Sequence, residues 1–232
     1  TQVRRLGDLV RRGQQLAALG EMAAGVAHEI RNPLNSIRGF VELLQEKTQG
    51  EDRRYMQIVV EEVDRINHIV EGLLHFARQQ GITLEGMDLA PVLVRAMALV
   101  AAAAEKKHVR LKGAWPDAFR VTGNAAKLQQ VFLNLVQNAL EAVPQGGDIS
   151  VTASPAQDGS ASGWAVRISD NGCGIGEEDM QKLFTPFFTR KEKGTGLGLA
   201  ICHKILEAHA GRIEVESQIG EGTTFIVWLP EA

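Results

Sequence analysis

Cysteine is nearly missing from this chain. Cys173 and Cys202 are the only two in 232 residues, too few for a disulfide framework and not spaced as CxxC, which fits a reducing cytosolic setting. An excess of charge of one sign is missing as well. Lysine and arginine number 25 against 28 acidic residues, a formal net charge of −3, so there is no basic footprint and no nucleic-acid partner is expected. The longest apolar run, Val92 to Val100 continuing through Ala104, is interrupted by Arg95 and falls short of the roughly 20 residues that cross a bilayer. Neither an initiator Met nor a signal peptide opens the chain, and the expectation is the excised output half of a longer protein. What remains is ordinary globular composition, 44% hydrophobic and 23% charged, with room for one or two domains.

The most informative stretch is Leu16 to Leu44, LAALGEMAAGVAHEIRNPLNSIRGFVELL. Leu16, Leu19, Ala23, Val26, Ile30, Leu34, Ile37, Val41 and Leu44 recur in steps of three and four, the mark of one apolar stripe along an α-helix. At about 100° per residue, His28 lies on the opposite face with Glu21, Gly25, Arg31, Asn32 and Asn35 and is expected to meet water. A water-facing histidine is ordinarily a bystander, but its neighbours are unusual. Pro33 frees the carbonyl of Glu29 and kinks the helix beside His28. Ala24 and Gly25 leave room for another body. Glu29 can accept the Nδ1 proton, leaving Nε2 as a nucleophilic lone pair. Zinc binding through HExxH fails because Asn32 occupies the second histidine position.

Thr1 to Gln15 spaces Val3, Leu6 and Val10 like a coiled-coil seam and reads as an incoming signalling helix, with a frayed terminus as the bland alternative. After a polar turn over Glu46 to Asp52, a second helical pattern runs from about Asp52 to Arg78, with Tyr55, Val59, Val63, Ile66, Val70, Leu73 and Ala77 on one stripe and Ile58, Ile69 and Phe76 beside it. Such a stripe is wider than one partner helix can cover. The expectation is a helical hairpin over 16–80 that dimerises into a four-helix bundle with His28 facing outward; His68 and His75 complete no catalytic or metal set.

Gln79 to Gly86 breaks the periodicity and serves as a linker, 81–87. Beyond it the pattern alternates. Helices are expected at Leu89–Glu105, Asn124–Val143 and Leu197–Ala210. Strands are expected at Val109–Gly113, Phe119–Thr122, Asp148–Ala153, Trp164–Ser169, Arg212–Ser217 and Thr223–Leu229, with a polar loop from Ser154 to Gly163. The predicted class is α+β multidomain: the hairpin, then a two-layer sandwich of helices on one sheet over 88–232.

Chemistry gathers at four places in this second half. In LQQVFLNLVQNALEA, Val131, Leu135 and Leu140 belong to the buried side, while Asn134 and Asn138 stand one turn apart on a single helical face; two carboxamides in that register can ligate a hard cation, although most such pairs are caps or solvated. DNGCGIG, Asp170 to Gly176, follows a strand, so its glycines permit close backbone approach and its aspartate can accept hydrogen bonds from an exocyclic amine, with an Asx-Gly turn as the plain alternative. In LFTPFFTRKEKGTGLGL, residues Gly194, Thr195, Gly196, Leu197 and Gly198 open a helix and offer N–H groups to an anion, with Arg190, Lys191 and Lys193 upstream. Neither a Rossmann nor a Walker loop fits that spacing. Phe184, Pro186, Phe187 and Phe188 suggest a lid over a nucleotide. Lastly, Thr223 in GEGTTFIVWLP is placed to reach a base at the pocket edge.

HEIRNP preceded by LGEMAAGVA resembles the phosphoacceptor helix of the sensor histidine kinases of two-component signalling. The four later motifs resemble the N, G1, F and G2 boxes of their catalytic domain, the ATP fold shared with gyrase, the ninety-kilodalton heat-shock chaperone and MutL, and PFFTRKEKGTGLGLA resembles the nitrogen-regulator and acetoacetate-sensor subgroup. The resemblance covers nearly the whole chain from Leu16. It implies ATP and Mg²⁺ as cofactors, a homodimer, and a response-regulator receiver domain as partner. Residue by residue it implies His28 as phosphoacceptor, Glu29 as its base, Asn138 and Asn134 at Mg²⁺, Asp170 on the adenine amine, Lys191 at the phosphates, and Gly172, Gly174, Gly194, Gly196 and Gly198 shaping pocket and lid. Asn32, one turn past His28, can orient water for dephosphorylating the regulator.

Two departures stand out. Glu141 occupies a position where many members carry Lys or His, which shifts a phosphate contact to Lys191. Asn124 stands where Asp is common before the N-box helix, a capping position that Asn fills equally well. Two rival classes are kept: an ATP-driven clamp, disfavoured because clamps carry a water-activating Glu where Asn134 stands, and a non-catalytic dimeric scaffold or phosphatase. Free phosphate release against protein-bound acid-labile phosphate separates the first; near-zero ATP turnover with intact dimerisation would identify the second.

Overall fold

The computed structural model describes residues 30, 32–45, 48–77, 83–117, 119–159, 161–191 and 194–232, with backbone alone over 68–77. The chain divides into two compact units, one drawn from Thr1–Gln80 with Thr189–Leu197, the other from Gly81–Phe188 with Gly198–Ala232.

In the first unit, helix α1 (32–45) and helix α2 (Glu51–Ala77) form the expected hairpin. They run antiparallel. Arg38 Nη1 reaches Asp64 at 2.6 Å and Gln45 Nε2 donates to Gln57 at 2.9 Å, so pairs distant in sequence meet across the two helices. Glu51 and Asp52 in the first turn of α2 complement its dipole, and Gly50 supplies the turn with φ 75°. Leu34, Val60 and Val63 are buried, yet Ile37, Phe40, Leu43, Leu44, Tyr55, Ile58 and Val59 stay exposed. Much of the predicted stripe is therefore open in the single chain. A two-helix hairpin has one internal seam and cannot cover a face this wide.

The second unit is a mixed sheet with helices. Its elements are β1 (Glu85–Asp88), α3 (Ala90–Lys106), β2 (Arg110–Ala114), β3 (Arg120–Gly123), α4 (Ala125–Ala142), β4 (Asp148–Asp158), β5 (Ala161–Asp170), α5 (Glu177–Met180), α6 (Gly198–Ala208), β6 (Arg212–Gln218) and β7 (Gly222–Pro230). The five-stranded sheet has the order β2-β4-β5-β7-β6, with β2 parallel to β4 and the other pairs antiparallel. Its core joins Leu128, Phe132 and Leu135 of α4 and Leu206 of α6 to Ile149, Ile168 and Leu229 of the strands, all nearly inaccessible.

Three features differ from expectation. Not every strand joins one sheet: β3 pairs with β1 in a separate two-stranded ribbon, linked onward by a bridge from Val121 to Glu231. The strand β1 lies in EGMD, within what reads as linker, because its charged and glycine residues carry no alternating signal and only pairing with β3 makes it extended. The β4–β5 hairpin continues through SPAQD and ASG, so the polar stretch is paired strand with its bend at Gly159. Pro155 is tolerated there because β4 pairs with β2 only as far as Thr152, leaving the proline's other edge without a ladder.

Candidate functional site: a nucleotide pocket in the second unit

Helix α4 carries the paired asparagines and is fixed at both ends. Asn124 is its N-cap, with Oδ1 accepting from Lys127 N at 3.1 Å, the capping role expected of it. At the far end Val143 is extended before Pro144, and Lys107 Nζ donates to the Leu140 carbonyl at 2.8 Å, a cation at the negative end of the helix. His209 completes the clamp. Nearly fully buried at 1% exposure, its ring lies 2.7 Å from Ile205 O through Nδ1 and accepts the Asn124 N–H at Nε2, 2.9 Å away. A donor must face Ile205 and an acceptor Asn124, which fixes a neutral ring with its proton on Nδ1. Burial lowers the His209 pKa, opposed by the bond to Ile205.

Asn134, Asn138 and Leu140 are half-buried on α4, and Val131 and Leu135 are fully buried. Asn134 Nδ2 donates to Gly198 O at 3.5 Å and approaches Cys202 Sγ at 3.7 Å. Cys202 Sγ in turn lies 3.7 Å from Val131 O, and burial pushes its thiol pKa up to about 12, so it stays neutral. The Asn134 nitrogen is thus turned to α6, which leaves Oδ1 as the atom that could meet a cation. Among the described residues no group of three or more His, Cys, Asp or Glu side chains can hold a metal. Carboxamide oxygens fit a hard cation that takes most of its shell from water and substrate phosphates, as Mg²⁺ does.

Asp170 ends β5 at 9% exposure. Its register partner on β7 is Thr223, and Thr223 is in turn opposite Ser217 on β6. Burial raises the Asp170 pKa, while hydrogen bonds from the Gly172 and Thr223 N–H groups pull it back. The Gly172 bond measures 2.8 Å. The glycines of DNGCGIG answer a steric demand. Gly174 takes φ 69°, and a Cβ there would strike the Gln218 carbonyl; Gly222, at φ 119°, lies as close to the Asp170 carbonyl. Ser217 Oγ accepts from Ile175 N and donates to Gly222 O, both at 2.9 Å, and lies 2.8 Å from Thr223 Oγ1.

The structure thus brings Asp170, Gly172, Gly174 and Thr223 into one cluster, and joins Asn134 to Gly198 at the start of α6. Lys191, Gly194, Thr195, Gly196 and Leu197 belong to the first unit. There Lys191 is exposed, with its N–H on Thr189 Oγ1 at 3.1 Å; Gly194 N donates to Lys191 O at 3.1 Å, and Leu197 N reaches Thr195 Oγ1 at 3.4 Å. Of the bulky groups expected in a lid, Phe184 stacks on His203 of α6 at 5.5 Å, whereas Phe187 is exposed with φ 66°. Asn32 is exposed near the start of α1, its carbonyl accepting from Ser36 Oγ at 3.1 Å. His28 and Glu29 lie outside the described residues, as do the side chains of His68 and His75. Sequence reading missed His209, Lys107 and Ser217. Each acts through a partner at least five residues away in the chain, and none sits in a motif of its own.

The family model described as "His Kinase A (phospho-acceptor) domain" matches residues 18–82, and that described as "Histidine kinase-, DNA gyrase B-, and HSP90-like ATPase" matches residues 123–232. The sensor histidine kinase ZraS of Escherichia coli (strain K12) is 41% identical over 228 residues, covering 97% of this chain and 48% of that protein. The chain spans about half the length of the curated relatives it matches. The crystal structure of full-length ShkA in complex with AMPPNP superposes with a TM-score of 0.77 at 28% identity, over 92% of this chain and 46% of that one. The histidine kinase ThkA, in its complex with the response regulator protein TrrA, gives a TM-score of 0.69 at 30% identity, over 100% of this chain and 67% of that one. A phosphoacceptor region followed by this ATPase fold, in this order, is the architecture of one group of proteins: the chain belongs to the sensor histidine kinases of two-component signalling.

Proposed function

We propose that the chain binds ATP in the second unit, moves the γ-phosphoryl group to His28, and passes it to an aspartate of a response-regulator receiver domain. The observation that carries this reading is the buried carboxylate of Asp170, which accepts from the backbone N–H groups of Gly172 and Thr223. An acceptor buried at the price of a raised pKa is a poor choice for stability alone and a good one for an exocyclic amine.

In the reaction, His28 attacks the γ-phosphorus in line; an N–P bond forms, the bond to the bridging oxygen breaks, and ADP leaves. An imidazole of ordinary pKa near 6.5 is largely neutral at pH 7, so Glu29 needs only to hold the Nδ1 proton and aim Nε2. Placement supplies most of the rate. Asn138 and Asn134 would hold Mg²⁺, which when bound neutralises phosphate charge. Lys191 serves the phosphates in place of the side chain missing at Glu141, and Gly194, Thr195, Gly196, Leu197 and Gly198 form the lid and anion loop. The same regulator is the target of a phosphatase reaction in which Asn32 orients water.

The functional division follows: 16–80 dimerises and carries phosphate, 88–232 binds ATP, 81–87 joins them, and 1–15 brings in the signal. Dimerisation covers the apolar face left open on α1 and α2. No helix among the described residues is long and apolar enough to cross a membrane; attachment to the inner membrane through a sensor region is part of the proposal.

The test uses labelled ATP and two variants. Asn138→Asp abolishes labelling, whereas His28→Gln abolishes labelling and leaves nucleotide binding intact. Label retained by the His28 variant would overturn the assignment.

A further inference from the structure

Asp170, Thr223 and Ser217 form one cross-strand row over β5, β7 and β6, since Thr223 is the register partner of both others. Directly opposed residues of an antiparallel sheet share a face. Within that row the direction of every hydrogen bond is determined. A serine hydroxyl has one proton and two lone pairs. Ser217 Oγ faces the Gly222 carbonyl, which only accepts, and the Ile175 N–H, which only donates. Its single proton is therefore committed to Gly222 O, and the remaining contact, Thr223 Oγ1 at 2.8 Å, must be one in which Thr223 donates. Thr223 is buried, at 4% exposure, so no solvent competes for that proton. Toward a ligand its oxygen offers lone pairs only, as does the Asp170 carboxylate beside it.

We propose that Ser217 is a specificity-determining positioning residue: by consuming the Thr223 proton it turns the base-facing row into acceptors alone, which admits a 6-amino purine and rejects a 6-oxo purine. The proposal rests on the reading of this pocket as an ATP site. An amino group at position 6 donates to the row. An oxo group would set lone pair against lone pair in a site with little water to relieve it, the circumstance in which a polar site discriminates most strongly. Removing the Ser217 hydroxyl frees the Thr223 proton to turn toward an oxo group.

The experiment measures equilibrium binding of ATP and of inosine triphosphate, which differs at position 6, to the full chain by calorimetry. The unaltered protein prefers ATP by at least about 100-fold. Ser217→Ala narrows that ratio about tenfold, one hydrogen bond's worth, whereas Ser217→Thr, which keeps the hydroxyl, preserves it. Thr223→Val, which keeps the shape and loses the hydroxyl, narrows the ratio by itself, and adding Ser217→Ala to it changes nothing more. A ratio unchanged in Ser217→Ala or in Thr223→Val, or a Ser217 effect that persists in the Thr223→Val background, overturns the proposal. An unaltered protein that binds neither nucleotide fails the ATP reading itself, a result separate from a selectivity that ignores Ser217.

Discussion

The two units solve opposite problems with their apolar and polar residues. In the second, large side chains such as Phe132, Leu135 and Leu229 are fully buried and these polar groups find partners: buried Asp170 on two N–H groups, buried His209 between Ile205 and Asn124, half-buried Ser217 with all three of its hydrogen-bonding positions used. In the first, three apolar side chains of the described hairpin are buried while Phe40 and Tyr55 stand more than half exposed. The contrast teaches that the second unit covers its own apolar core, whereas the described hairpin leaves an apolar face uncovered in the single chain, the face that the proposed dimerisation would bury.

The largest effect that can break this contrast falls on the pocket. Asp170→Asn replaces one of the two carboxylate oxygens by an NH2 donor that opposes the base's amino group, and weakens ATP binding by more than about 100-fold, several hydrogen-bond equivalents. Stability should move the other way. The folded Asp170 pKa is raised, so the folded state binds the proton more tightly than the unfolded one. Its contribution is present below the ordinary carboxylate pKa and is lost as pH rises through the folded value; at neutral pH the charge is a burden. Denaturant titration of the nucleotide-free variant at pH 7 should therefore show no loss.

Next in size is a pair of matched phenylalanines. Phe132→Ala in the closed core costs about 3–5 kcal/mol of unfolding free energy. Phe40, at 68% exposure, has no such cost within the single chain; Phe40→Ala should instead shift the monomer–dimer equilibrium, seen by sedimentation. Equal stability losses at both positions would erase the distinction between the units.

A smaller effect concerns the clamp on α4. His209→Gln costs about 1–3 kcal/mol, the range for stranding a buried partner. Because burial depresses the His209 pKa, the unfolded state binds the proton more readily: the stability His209 contributes is full above its unfolded pKa near 6.5 and is lost as pH falls through the lower folded value. The variant should lose that acid-side slope in pH-dependent denaturation. Smallest is Arg38→Ala, which breaks the Arg38–Asp64 pair between two half-exposed side chains and leaves the unfolding midpoint within error.

Legibility in the sequence follows the same division. The helices of the second unit were readable because α4 and α6 each bury one face, so Val131 and Leu135, or Ile201 and Ile205, recur at helical spacing. Motif residues Asp170 and Thr223 were readable as chemistry but not as neighbours, since only β5–β7 pairing makes them so. Strand β1 and the extended β4–β5 hairpin were not legible, because their residues face solvent and pair through the backbone, which leaves no periodic imprint. His209 and Ser217 were invisible for a related reason. A polar residue outside any motif reveals its role only through a partner on another element.

The central claim is that nucleotide bound in the closed unit phosphorylates the open one at a single imidazole. Mass spectrometry of the intact protein after incubation with ATP and magnesium tests it most directly: the account predicts one acid-labile phosphoryl group per chain, located at His28. Acid-stable phosphate on a hydroxyl, or steady release of free phosphate with residue 28 unmodified, would contradict it.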